Sequence, residues 1–116
     1  MDERTKQEYL GLYAEGWTNG DVDKILGVVA PGFQFGDPQK GSISLENFRE
    51  YFEGFKKEVG QSGETFLDLS GIVAYEAGGL LVACCNWKTG VDKNIVGNGL
   101  IVVGDDGVQR EDVVLT

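Results

Sequence analysis

The chain has 116 residues, 41% hydrophobic and 25% charged, which fits one globular domain (residues 1–116) with one core and argues against disorder. Nineteen acidic residues against ten basic ones give a net charge of −9; nucleic acid and membrane are therefore not expected as partners, since neither counterion release nor surface attraction is available. Histidine is absent, so Ser-His-Asp and Cys-His mechanisms and histidine metal sites are excluded, and acid–base chemistry falls to Asp, Glu, Tyr, Cys or Lys.

The N-terminal stretch Met1 to Glu8 is charged, with no apolar leader segment, and no run approaches the ~18 apolar residues of a membrane span. Residues from Asp2 to Asn19 are expected to form a helix, with Tyr9, Tyr13 and Trp17 on one stripe beside Leu10 and Ala14. Asn19-Gly20 ends it, and Asp21 caps a second helix expected to run to about Ala30, where Pro31-Gly32 stops it. A short apolar strand follows, Phe33 to Pro38. Pro38 cannot donate to a ladder, which leaves Asp37 at a strand end beside aromatic rings. Desolvation there would raise its pKa and make it useful as a general base, although Asp-Pro is also a common turn opener.

Ser44 is expected to cap a third helix through the N–H near Asn47, with Leu45, Phe48, Phe52, Phe55 and Val59 on its apolar stripe. After the break Gly60-Gln61-Ser62-Gly63, four strands are expected: Thr65–Ala77, Leu80–Thr89, Asn94–Val103 and Val108–Leu115. Their short Gly- and Asp-rich connections imply antiparallel hairpins, hence an α+β fold. The adjacent Cys84 and Cys85 point to opposite faces of a strand, where a mutual disulfide would be strained. Both are expected reduced, as in a cytoplasmic protein.

In this order and spacing the chain resembles the nuclear transport factor 2-like cone fold over essentially its whole length, and within it the SnoaL-like and ketosteroid-isomerase-like branch. The resemblance implies three N-terminal helices packed on a curved, mainly antiparallel sheet. It implies a small, largely apolar ligand in the cone, no cofactor or metal, and a homodimer formed through the exposed sheet face. In ketosteroid isomerase the base is the aspartate of an Asp-Pro pair after the first strand, which corresponds to Asp37; the oxyanion-hole tyrosine, eight residues before the Gly-Asp aspartate, corresponds to Tyr13. The family's protonated aspartic acid falls on Gly99, so that donor is missing.

If Gly99 faces the cavity, so do Gly97, Ile101 and Val103. Hairpin pairing then adds Val82, Cys84 and Asn86, and the family parity on the last strand adds Arg110, Asp112 and Val114. With Trp17, Phe35 and Phe52 on the walls, the expected cavity contains Tyr13, Asp37, Asn86 and Asp112. The opposite, dimer-forming face would carry Leu81, Ala83, Cys85, Trp87, Val96, Leu100 and Val102. The Asp-Arg-Asp set of limonene-epoxide hydrolase, on the same fold, is matched less well: Arg110 and Asp112 have the spacing but lie on a different strand. The function implied is proton transfer, isomerisation or cyclisation with Asp37 as base and Tyr13 as oxyanion donor. The alternative is a ligand-binding or protein-interaction module without chemistry.

Overall fold

The computed structural model describes residues 4–61, 63–92 and 94–116. Three helices, α1 (Lys6–Asn19), α2 (Val22–Leu26) and α3 (Leu45–Val59), accompany six strands: β1 (Val29–Asp37), β2 (Gly41–Ser44), β3 (Leu67–Ala77), β4 (Leu80–Thr89), β5 (Val96–Gly104) and β6 (Gly107–Leu115). The strands form one sheet in the order β2-β1-β6-β5-β4-β3. All neighbours are antiparallel except β1 and β6, which run parallel. The sheet is therefore curved and mixed. The strand expected before the third helix is there and is joined by a second, β2, so a β1–β2 hairpin separates α2 from α3 and the three helices are not contiguous. Among the described residues no helix is long and apolar enough to cross a membrane.

α1 starts one residue after Thr5, whose hydroxyl accepts from the Glu8 N–H while the Glu8 carboxylate accepts from the Thr5 N–H. That reciprocal box sets the helix start; Asp2 and Glu3, expected inside α1, lie outside the described residues. At the other end Gly20 adopts φ 68°, the left-handed conformation that glycine reaches without steric cost. Asp21 then caps α2 by accepting from the Lys24 N–H. α2 stops at Leu26, short of the expected Ala30, because the β-branched Val28 and Val29 join β6: the Val108 N–H donates to the Val28 carbonyl, and Val29 pairs with Val108. Pro31 is accommodated inside β1 where the register shifts between Val29 and Gln34. Ser44 caps α3 without the expected backbone bond; its hydroxyl accepts instead from the Asn47 side-chain amide.

The core is an aromatic cluster centred on Trp17. Its ring lies 5.0 Å from Phe52, 5.5 Å from Phe35, 5.9 Å from Phe48 and 6.4 Å from Tyr13 and Phe66. These residues come from α1, β1, α3 and the approach to β3, so one side chain ties the helical layer to the sheet. Gly20→Ala tests the joint below it. The new Cβ would meet Phe66 Cβ at 3.0 Å and Gln61 Oε1 at 2.5 Å, in a backbone conformation that L-residues resist. A loss of roughly 1–2 kcal/mol is expected, read as a lower urea midpoint with an unchanged slope.

Candidate functional site

Between the concave face of the sheet, α1 and α3 lies a cavity of about 310 Å³, within the range that takes a small organic ligand. Six aromatic side chains line it: Tyr13, Trp17, Phe35, Tyr51, Phe55 and Trp87. Burial changes along it. Tyr13, Trp17, Cys85, Ile101 and Glu111 are buried, whereas Pro38, Gln39, Lys40 and Glu58 are exposed. The inner end is thus the sheet floor and the mouth is the β1–β2 turn with the C-terminal half of α3.

At the floor the Tyr13 hydroxyl donates to Glu111 Oε1 at 2.5 Å. Tyr13 is 0% and Glu111 5% exposed. Burial pushes the Glu111 carboxyl up to about 7, partly opposed by the Tyr13 hydrogen bond and reinforced by the nearby Asp112. Burial and the adjacent Glu111 charge hold the Tyr13 phenol well above its ordinary value. Cys85, also on the floor, is raised to about 11, chiefly by burial, and is no thiolate nucleophile at neutral pH. The indole N–H groups of Trp17 and Trp87 are buried with no hydrogen-bond partner among the described residues.

Asp37 sits at the mouth. Its Oδ1 accepts the backbone N–H groups of Gln39 and Lys40 at 2.7 and 2.8 Å, and its Oδ2 accepts the Tyr51 hydroxyl at 2.6 Å. Burial alone would raise its pKa, but the Tyr51 bond, the two amides and the Lys40 charge outweigh it, and the net shift is downward. This is opposite to the shift expected from desolvation beside aromatic rings. Tyr51, which the sequence pattern left off the apolar stripe of α3, is held well above its ordinary value by burial and by Asp37.

Of the expected site residues, Tyr13, Trp17, Phe35 and Asp37 line one cavity. Phe52 is fully buried behind it, against Trp17 and Phe66. Gly99 faces the floor: a Cβ there would lie 2.5 Å from Glu111 Oε2. Val82, Cys84, Asn86 and Asp112 are corrected to the outer face. Cys85 pairs with Gly99, Ala83 with Ile101 and Trp87 with Gly97, so Leu81, Ala83, Cys85 and Trp87 point inward. The parity follows from the connection, which runs on to Ile95: the Thr89 N–H donates to the Ile95 carbonyl.

On β6 a bulge intervenes. Val102 pairs with Arg110 but Val103 with Val108, so Gln109 is an extra residue and every later side chain flips face. Arg110 and Asp112 accordingly pair outside, at 2.7 Å, with Val114 exposed beside them. Glu111 is the cavity residue that sequence parity missed. No compositional signal marked it, because Arg110, Glu111 and Asp112 are all charged. Among the described residues no group of three His, Cys, Asp or Glu side chains could hold a metal ion.

No family model and no curated protein matches the chain. Solved structures do. An NTF2-like protein from Anabaena variabilis is 12% identical with TM-score 0.71, over 100% of this chain and 94% of that one. An NTF2-like protein of unknown function from Cytophaga hutchinsonii is 12% identical with TM-score 0.70, over 99% and 93%. A SnoaL-like protein from Shewanella putrefaciens, a candidate polyketide cyclase, is 14% identical with TM-score 0.68, over 98% and 81%. The chain therefore has the nuclear transport factor 2-like fold, of the kind shared with SnoaL-like proteins.

The buried acid has a measurable signature. Folded Glu111 keeps its proton up to about pH 7, whereas the unfolded chain releases it near 4.5. Between these values the folded state binds more protons. The stability due to Glu111 is therefore full below about pH 4.5 and lost as pH rises through about 7. Urea titrations of wild type and Glu111→Gln should diverge across that window by about 3 kcal/mol in favour of the glutamine variant.

Proposed function

We propose that the chain binds a small, largely apolar carbonyl compound in the cavity and moves a proton alpha to the carbonyl, in an isomerase- or cyclase-like reaction. The carrying observation is the buried Tyr13–Glu111 pair at the closed end of an aromatic cavity with Asp37 at its mouth. The candidate cyclase among the solved relatives agrees in fold.

With Glu111 protonated, the Tyr13–Glu111 bond opens as a ligand enters, and the two O–H groups then both donate to one carbonyl oxygen. As the alpha C–H breaks, charge develops on that oxygen inside a dry site, where fixed donors act most strongly. Asp37, ionised at neutral pH, receives the proton. Tyr51 positions Asp37 and weakens it as a base, so the reaction leans on the oxyanion donors. The acid absent at Gly99 is supplied from β6 by Glu111, whose carboxyl fills the space a side chain at 99 would need. A base strengthened by desolvation, as first expected of Asp37, has no part in this scheme.

The active form pairs an ionised Asp37 with a protonated Glu111. Turnover should therefore fall as pH rises through about 7 and hold on the acid side down toward the lowered range of Asp37. The test incubates aryl and cyclic ketones with the protein in D2O and follows loss of alpha protons by NMR. Wild type should exchange them; Asp37→Asn should slow exchange by about 10²–10⁴ and Tyr13→Phe by about 10²–10³. Ketones that bind without any exchange would leave a binding module without chemistry. Exchange indifferent to both substitutions would remove these residues from the reaction.

The outer sheet face, where Leu100 is 41% and Val114 52% exposed, supports a homodimer as the second half of the proposal. Sedimentation equilibrium should give twice the chain mass for wild type and a monomer for Leu100→Asp. A monomeric wild type would refute the dimer.

A further inference from the structure

We infer that the cavity is also a binding site for organic cations: a protonated amine on an apolar body, its ammonium against the Glu111 carboxylate and its hydrocarbon among the aromatic walls. The inference rests on the cavity being the ligand site, but not on the proton-transfer reaction.

Three observations converge. First, Tyr13, Trp17, Phe35, Tyr51, Phe55 and Trp87 all line the cavity, and ring faces attract cations, most strongly where water is excluded. Second, the ionisable lining is acidic: Asp37, Glu58 and Glu111 stand against Lys40 alone, and Lys40 sits at the mouth with its Nζ 5.6 Å from the centre of the Tyr51 ring. Third, Glu111 is a buried acid on which no basic group among the described residues acts. Its one hydrogen bond among the described residues is from Tyr13, and the charged group acting on it is another acid, Asp112.

Folding has therefore already stripped this carboxyl of water without giving it a counter-ion. An arriving ammonium meets only its own desolvation, and it relieves a charge the fold holds at a cost. Lysine or arginine in that place would have neutralised the floor and closed the site to cations. The groups facing Glu111 are Tyr13 from α1, Cys85 from β4, Gly99 from β5 and, at longer range, Tyr51 from α3. The three titratable ones are shifted upward and stay neutral through the physiological range. Asp112 follows it in the chain on the outer face. The charge on the floor is thus that of Glu111 itself. A protonated Glu111 suits a carbonyl oxygen and an ionised one suits an ammonium, so one cavity takes two ligand chemistries on either side of neutrality.

Matched probes test this: 2-phenylethylamine and 2-phenylethanol, titrated calorimetrically into the full chain about one and a half pH units on each side of 7. The amine stays protonated across most of that window. On the alkaline side it should bind about tenfold or more tightly than the alcohol, and on the acid side the preference should collapse as Glu111 takes up its proton. In Glu111→Gln the amine preference should be absent at both pH values. Because the pH series is read on wild type, it stands even if that variant folds poorly. Equal affinity of amine and alcohol on the alkaline side, or a preference that survives Glu111→Gln, would overturn the inference. Ketone exchange without amine preference would sink the cation site and leave the reaction. Amine preference without exchange would do the reverse.

Discussion

The buried hydrogen bond between Tyr13 and Glu111 is the constraint on which the rest of the cavity turns. A carboxyl taken out of water is unfavourable unless it is hydrogen-bonded, and here the bond comes from a phenol that is itself fully enclosed. Bringing them together requires α1 to lie across the sheet with Tyr13 over β6. It requires position 99 to be glycine, because any Cβ there would run into the carboxyl. It also requires the bulge at Gln109, since without that extra residue β6 would turn Glu111 to solvent and Arg110 inward. Two features that look like local irregularities, Gly99 and the Gln109 bulge, thus serve one contact.

The aromatic cluster explains why a cavity remains beside that contact. Trp17 spends its packing on Phe48, Phe52 and Phe66 to one side, while on the other it lines open space with Phe35 and Trp87. Rings are large and rigid, so they meet edge to face, tilted or stacked and cannot flow into the remaining volume as Leu or Met would. The two buried indole N–H groups without acceptors belong to the same region. Of the three buried side-chain polar atoms without a partner among the described residues, these two line the cavity and the third, Gln61 Oε1, does not.

Much of the fold was legible because it rests on local signals. The α1 stripe, the Gly20 break, the Asp21 cap, the α3 stripe and the hairpin turns each depend on a few adjacent residues. Tyr13, Trp17, Phe35 and Asp37 came out in one cavity for the same reason, lying on elements whose faces the local pattern sets. What was not legible depends on counting residues through loops and bulges. The connection after Thr89 reverses the faces of β4, and Gln109 reverses those of β6; each moves a whole set of side chains without leaving a compositional mark. On β4 a competing signal did exist. Leu81, Ala83, Cys85 and Trp87 alternate with Val82, Cys84, Asn86 and Lys88, and burying the first set hides no polar side chain other than an indole N–H. Polarity alternation was the better guide there than inferred pairing. On β6, Arg110, Glu111 and Asp112 are all charged, so polarity offered nothing and the bulge decided.

The two carboxyls of the cavity then divide along environmental lines. Asp37 and Glu111 have nearly the same intrinsic acidity. Asp37 is wrapped by two amides and a phenol at a mouth that water reaches, and it is driven down. Glu111 has one partner at a floor that water does not reach, and it is driven up to about 7. Near neutrality the pair therefore holds one firm negative charge and one exchangeable proton, at opposite ends of an apolar space. That separation does not depend on which strand supplies the acid. Gly99 on β5 leaves room at the floor, and the Glu111 carboxyl from β6 occupies it. What defines the site physically is where that proton sits relative to the Tyr13 phenol and the aromatic walls.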